Sequence, residues 1–95
     1  MIKFEWNEIK NKINQKKHGI TFEEASHVFE DECAILFDDP KHSEKEDRFL
    51  IIGMDNNARV CIVSHCYREK HNDEIIRIIS ARKATPKERK AYENQ

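Results

Sequence analysis

The chain has 95 residues, a length that suits one domain with one hydrophobic core, so residues 1–95 are predicted to form a single domain. Its net charge of −1 argues against a generally basic, histone-like nucleic-acid binder. No apolar run is long enough for a membrane span or a signal peptide, and the three cysteines are an odd number. These features predict a cytoplasmic protein with reduced thiols and no membrane partner.

The first quarter of the chain carries the signals of a short strand and two short helices. Residues 3–6 alternate in polarity and predict an edge strand. Asn7 is a typical N-cap and Gly19 a typical C-terminal cap, which together bound the first helix. Thr21 and Glu24 form a capping box that begins the second helix. The apolar side of this helix is predicted to carry Phe22, Ala25, Val28 and Phe29.

The remainder of the chain predicts four strands and a final helix. The strands are expected at residues 33–37, 48–54, 58–67 and 75–81. They are separated by polar connections at residues 41–47 and 68–73 and by a turn at residues 55–57. Thr85 and Glu88 form a second capping box, with Pro86 at the first helical position. The order β-α-α-β-β-β-β-α predicts an α+β domain, an antiparallel sheet with helices mainly on one face.

The cysteines favour packing over metal binding. Cys33 and Cys61 lie in strand-like segments and are predicted to be small buried hydrophobic residues. Cys61 and Cys66 with His65 give a weak zinc pattern, because ligands so spaced would alternate across a strand. We therefore predict neither a metal site nor a cofactor.

The end of the chain is its most basic part. Six cations lie within fourteen residues, with Glu88 as the one acid among them: Arg77, Arg82, Lys83, Lys87, Arg89 and Lys90. Such a density of cations suits a polyanion, because each cation near a phosphate gains Coulomb energy and releases counterions. Residues 30–47 hold eight acids against Lys41 and Lys45, so a basic partner is expected for that segment.

Alternation along the last two strands bears on where a site can form. It predicts that Ile78, Ser80 and Arg82 share one face of the last strand, with Arg77 on the other. It also predicts that His65 and Tyr67 lie on one face of the preceding strand and Ser64 on the other. A polar site results if His65 and Tyr67 share a face with Ser80 and Arg82, but the sequence does not fix that register.

In the order of these motifs the chain resembles the BrnT toxins, the toxin half of a bacterial type II toxin–antitoxin pair. The resemblance covers nearly the whole chain and is carried by residues 4–7, 17–25, 28–29, 39–40, 46–49, 53 and 77–84, and by Glu88, Arg89 and Tyr92. It implies a RelE-like fold and a metal-independent endoribonuclease that stops translation. It also implies a BrnA-type antitoxin that dimerises, binds DNA and blocks the toxin, so that DNA is reached only through the antitoxin, and a 2:2 complex is expected. The functional residues that it implies are Arg48, Ser80, Arg82, Arg89 and Tyr92.

The chemistry of metal-free RNA cleavage adds candidates to these. The 2′-OH attacks its own phosphate, and the planar arginine fork can bind the charged phosphorane through two oxygens. Arg82 and Arg89, supported by Arg48, are predicted to do so. His65 is the predicted general acid or base. Predicted RNA contacts, by stacking or charge, are Tyr67, Lys83, Lys87 and Lys90.

Structural interpretations stay open beside the catalytic ones. Arg48 can pair with the acids of residues 44–47, and His65 can form a hydrogen bond inside the domain. Glu88 suits a capping role, and His18 suits the helix C-terminus before Gly19. Two other functions also remain: a module that binds nucleic acid without cleaving it, and an inactive partner subunit of a repressor complex.

Overall fold

The computed structural model describes residues 2–95 as a five-stranded sheet with helices on both faces. The strands are β1 (Ile2–Glu5), β2 (Ile35–Asp38), β3 (Arg48–Met54), β4 (Val60–Lys70) and β5 (Asp73–Lys83), and the helices are α1 (Glu8–His18), α2 (Phe22–Ser26) and α3 (Pro86–Glu93). Two 3₁₀ turns cover His27–Glu30 and Pro40–His42. The order across the sheet is β1-β5-β4-β3-β2, with β1 parallel to β5 and the other pairs antiparallel. The predicted α+β class and element order are confirmed.

The helix ends form as their local sequences predict. Asn7 accepts a hydrogen bond from the Lys10 amide, and Gly19 ends α1 in the left-handed conformation with φ at 71°. Both capping boxes, Thr21 with Glu24 and Thr85 with Glu88, have their reciprocal hydrogen bonds. Each of these caps joins residues no more than four positions apart, so the local sequence is enough to predict it.

The main core lies between the N-terminal helices and one face of the sheet, which we call the helix side. There Phe22, Ala25 and Val28 pack against strand residues such as Val63 and Ile78. The opposite face, which we call the open side, carries Ser64, Ser80 and Arg82. The end of this face that carries Ile52 and Ile62 is covered by α3, where Tyr92 packs against these two residues and Ala84. The expectation of helices mainly on one face therefore holds for α1 and α2 but not for α3.

A bulge in β5 changes which of its residues share a face. Ser64 pairs with Ser80, but His65 pairs with Ile78, so Ile79 is an extra residue on β5. The prediction that Ile78 shares a face with Ser80 was wrong, because Ile78 and Ala81 both belong to the helix-side core. The same extra residue brings Arg77 onto the open side with Arg82.

The connection between β4 and β5 is shorter than predicted. The polar residues 68–73 mostly belong to the two strands, which pair as far as Lys70 with Asp73. Only His71 and Asn72 form the turn, with φ of 52° and 66°. Positive φ at both positions is typical of a two-residue hairpin turn. The prediction failed because exposed strand residues are as polar as loop residues.

The prediction for Cys33 was also wrong, whereas Cys61 is fully buried. Cys33 is exposed in a turn before β2, where its amide donates to the Asp31 side chain. No helix among residues 2–95 combines the length and apolarity that crossing a membrane requires.

Candidate functional site

Three rows of side chains cross the open side at right angles to β3, β4 and β5. From the pairing of the strands, the rows are Arg48–Cys66–Arg77, then Leu50–Ser64–Ser80, then Ile52–Ile62–Arg82. Residues paired directly across strands lie on the same face, and successive rows are two residues apart along each strand. The rows therefore place two serines between cationic side chains, with α3 beyond the last row.

Arg82 is held at the junction of β5 and α3 by Glu88. Its Nη1 donates to Glu88 Oε1 at 2.8 Å and its Nη2 donates to Glu88 Oε2 at 3.0 Å. The hydrogen bond from Arg82 is the largest of the effects that lower the pKa of Glu88 to about 2. Among hydrogen bonds within residues 2–95, the Nε–H of Arg82 has no acceptor, and 42% of the side chain is exposed. A second edge of the guanidinium therefore remains for a ligand.

Arg48 is a second open-side cation, at the start of β3. It is half-buried, and its Nε is enclosed without a hydrogen-bond partner among the described residues. No ion pair joins Arg48 to a carboxylate of residues 2–95, although acids precede it in the sequence. Glu46, one of those acids, instead contacts Arg68 at 3.5 Å. The structural interpretation of Arg48 as the partner of residues 44–47 does not hold.

Arg77 reaches the open side but is neutralised there. Its Nη1 donates to Glu5 Oε2 at 2.9 Å, across the parallel pairing of β1 with β5. Like Arg82 with Glu88, it is therefore paired with a carboxylate, whereas Arg48 has no such partner among residues 2–95.

The serine pair forms one wall of a small cavity of about 90 Å³. Ser64 and Ser80 are directly opposite each other, and Ser80 is exposed. The other lining residues are His18, Leu50, Ile62, Ala81 and Arg82. The cavity thus brings a hydroxyl pair, a guanidinium and an imidazole together.

His18 reaches this cavity because β5 has a free edge there. β1 pairs with β5 only as far as Arg77, so the next residues of β5 have a strand on the β4 side but none on the other side. The buried Asn14 of α1 occupies that edge: its Oδ1 accepts from Ala81 N at 3.1 Å and its Nδ2 donates to Ala81 O at 2.9 Å. The last turn of α1, with His18, is thereby fixed beside Ser80 and Arg82.

The structure does not bring His65 and Tyr67 to the cavity. His65 is fully buried on the helix side, between Phe29 and Phe49. Burial lowers its pKa, and its Nδ1 lies 3.1 Å from Val63 O. Because a carbonyl can only accept, Nδ1 carries the proton and Nε2 accepts from the Tyr67 hydroxyl, 3.0 Å away. This matches the interpretation of His65 as an internal hydrogen-bonding residue.

Tyr92 is on the open side but its hydroxyl is already used. It donates to Asp31 Oδ2, which also accepts from Met54 N at 2.8 Å. This bond to Asp31 is the largest of the effects that raise the pKa of Tyr92 to about 12. Tyr92 therefore joins α3 to the sheet, and its phenol is poorly suited to proton transfer at neutral pH.

The remaining predicted cations are spread around the corner between β5 and α3. Lys83 pairs with Cys61, a helix-side residue, and so lies away from Ser80. Lys87, Arg89 and Lys90 are all exposed on α3, and none has a carboxylate partner among residues 2–95. Arg89 directly follows Glu88, whereas Lys90 is two positions on and so faces away from the Arg82–Glu88 pair.

Sequence reasoning missed His18 and Ser64 as residues of this cavity. His18 was interpreted through its neighbour Gly19, which is correct for the helix end but says nothing about what the ring contacts. Its place depends on the free edge of β5, a tertiary feature without a local signal. Ser64 follows from pairing with Ser80, which needs the register.

Comparisons with known proteins agree with this architecture. A family profile described as "Ribonuclease toxin, BrnT, of type II toxin-antitoxin system" matches residues 6–88. The 1.1 Å crystal structure of the Brucella abortus ribonuclease toxin BrnT aligns with a TM-score of 0.62 and 25% sequence identity, covering 90% of this chain and 99% of that chain. No match is found among curated proteins.

Proposed function

Because the chain belongs to the BrnT family of ribonuclease toxins of type II toxin–antitoxin systems, we propose that it is a metal-independent endoribonuclease that stops translation. Membership implies an RNA target and an antitoxin partner.

The observation that carries the proposal is the free edge of Arg82 beside the serine pair. The Glu88 carboxylate fixes the guanidinium without occupying all of its donors. An arginine held in this way can bind two phosphate oxygens with little further loss of side-chain entropy. Arg48, in the row with Cys66 and Arg77, supplies a second positive charge, and Arg89 on α3 supplies a third. Preorganised donors of this kind contribute on the order of 10²–10³ each in rate.

The charge of the donor set supports cleavage without a metal. The cavity is lined by a guanidinium, an imidazole and two hydroxyls, and it has no carboxylate on its walls. Hard divalent cations prefer several oxygen ligands with negative charge. The cationic residues instead suit direct contact with the scissile phosphate, which the 2′-OH of the same nucleotide attacks.

We propose a partner as well as a substrate. The antitoxin is proposed to be of the BrnA type, joined to the toxin in a 2:2 complex that reaches DNA only through the antitoxin. The acidic residues 30–47 support a basic partner segment. The whole chain is proposed to act as one cytoplasmic domain.

Induced expression in a bacterial host tests the proposal. Wild type is expressed beside Arg82→Ala, Arg82→Lys and the control Lys12→Ala, an exposed cation on α1. Wild type and Lys12→Ala are expected to arrest growth and degrade total RNA, whereas Arg82→Ala is not. Arg82→Lys keeps the charge but loses the fork, so it is expected to stay impaired.

Two results would contradict the proposal. Healthy growth and intact RNA with well-expressed wild type would favour an inactive partner subunit. Growth arrest with intact RNA, together with binding of the purified protein to RNA, would favour a module that binds without cleaving.

A further inference from the structure

One imidazole, that of the half-buried His18, lines the open-side cavity. It shares the 90 Å³ cavity with Ser64, Ser80 and Arg82. Histidine is the side chain whose ordinary charge change falls between about pH 5 and 8. A histidine beside a phosphate-binding arginine is therefore placed for proton transfer.

The position of His18 is fixed by contacts on both sides of it. Upstream, Asn14 bonds to both backbone groups of Ala81 and also donates to Ile20 O at 3.0 Å. Downstream, Gly19 turns the chain at φ 71°, and its carbonyl accepts from Arg59 Nη1 at 3.1 Å. The imidazole thus stands on a helix end that cannot easily move away from Ser80 and Arg82.

The other titratable groups of the open side are poorly suited to the task. Glu88 has a pKa of about 2 and remains ionised as the partner of Arg82. Tyr92 has a pKa of about 12 because its hydroxyl is bonded to Asp31. Burial raises the pKa of the Cys66 thiol. His65 is fully buried on the other side of the sheet.

We infer that His18 is a catalytic residue that accepts the proton of the RNA 2′-OH, an inference that rests on the proposed endoribonuclease function. Arg82 holds the phosphate while the imidazole lies next to the attacking hydroxyl. His18 thus takes the role that sequence reasoning assigned to His65.

The step balances without a co-reactant. The 2′-oxygen forms a bond to phosphorus while its proton passes to a ring nitrogen of His18. The bond from phosphorus to the 5′-oxygen breaks, and that oxygen keeps the electron pair and takes a proton from solvent. The imidazolium then returns its proton to solvent. The products are a 2′,3′-cyclic phosphate and a 5′-hydroxyl, and RNA is neither oxidised nor reduced.

Charged groups around His18 come from several elements. Arg82 shares its cavity and is itself paired with Glu88. Arg59 lies at the Gly19 carbonyl and is neutralised by Asp55 at 2.7 Å. The lysines of the same helix end, Lys16 and Lys17, are exposed to solvent. The remaining positive charges near His18, those of Lys16 and Lys17, are therefore screened by solvent.

The experiment uses the full chain, free of antitoxin, with a defined RNA in EDTA. The kinetic parameters kcat and kcat/KM are measured as a function of pH for wild type, His18→Ala and a control. The control is Lys17→Ala, because Lys17 is the exposed neighbour of His18 on the same helix. His18→Ala is then assayed with added imidazole, and thermal melting checks that each variant is folded.

His18→Ala is expected to lose about 100-fold or more in kcat, because general base catalysis contributes on the order of 10²–10⁴. Its KM should stay close to wild type, and imidazole should restore part of the rate. The wild-type rate should rise with pH over the range in which imidazole loses its proton, and that dependence should vanish in His18→Ala. Lys17→Ala should match wild type.

Two outcomes would overturn the inference while leaving the proposed function intact. One is wild-type kcat in His18→Ala. The other is a folded but slow His18→Ala with an unchanged pH profile and no rescue by imidazole, which would indicate a structural role. If wild type leaves the RNA uncut under all conditions, the proposed function itself fails, and the inference with it.

Discussion

At the scale of single residues, Glu88 performs two tasks. Its Oε1 accepts from the Thr85 amide at 2.8 Å and so closes the capping box of α3. The same carboxylate binds Arg82 through both of its oxygens. One side chain therefore begins the last helix and orients the cation that we propose to bind phosphate.

The substitution Glu88→Gln separates these tasks, because glutamine can still close a capping box but carries no charge. We expect the free energy of unfolding at pH 7 to fall by about 1 kcal/mol, less than the full pKa shift implies, since solvent screens the half-exposed pair. Urea denaturation of wild type and variant measures this difference.

The pH dependence of that difference follows from the direction of the shift. The pKa of Glu88 in the folded state, about 2, lies below its ordinary value of 4.5. Its stabilising effect is therefore complete above the ordinary value and is lost as the pH falls towards 2. The stability gap between wild type and Glu88→Gln should shrink over this window. A gap that stays constant with pH would show that the ion pair contributes nothing.

At the scale of elements, the free edge of β5 explains why α1 buries a polar residue. Asn14 is only 6% exposed, whereas Ile9 and Ile13 of the same helix are 71% and 58% exposed. A strand edge without a neighbouring strand needs hydrogen-bond partners, and the Asn14 amide supplies both a donor and an acceptor. The helix side chain replaces the missing strand.

Asn14→Ala tests this link between α1 and β5. It leaves the Ala81 amide and carbonyl and the Ile20 carbonyl without their partner, so we expect a loss of about 2–4 kcal/mol in unfolding free energy. Gln15→Ala, the exposed neighbour on the same helix, is the matched control. Thermal or urea unfolding distinguishes them. Equal stability of the two variants would mean that water replaces Asn14 at the edge.

Local signals in the sequence predicted the elements but not the register of the sheet or its bulge. Asn7, the two capping boxes and Gly19 act within a few residues, so helix starts and ends were predicted well. The extra residue Ile79 has no such signal, and it changed the face assignment of Ile78 and Arg77. The register of β4 with β5 placed His65 behind the sheet, away from Ser80.

The candidate site could be predicted only in part for the same reason. Arg82 and Ser80 were predicted as candidates because they are close in sequence within a strongly basic segment, and the structure places both at one cavity. His18 comes from α1, more than sixty positions from Ser80, and reaches the cavity only through tertiary packing. Contacts of that kind depend on the free edge of β5, which only the three-dimensional structure shows.

At the scale of the whole molecule, the two faces of one sheet have different tasks. The helix side is a packed core that buries His65, whose ring accepts a hydrogen bond from the exposed Tyr67. The open side keeps Arg48, Ser80 and Arg82 accessible, and α3 covers its end at Ile52 and Ile62. The residues that we propose to act on RNA therefore lie on the face opposite the main core.

The most direct test of the central claim is the chemistry of the RNA ends produced by purified, antitoxin-free protein in EDTA. We predict fragments with 2′,3′-cyclic phosphate and 5′-hydroxyl ends from wild type, and intact RNA from Arg82→Ala under the same conditions. Cleavage that requires added divalent metal, or fragments with 3′-hydroxyl and 5′-phosphate ends, would contradict a metal-independent attack by the 2′-OH on the open side.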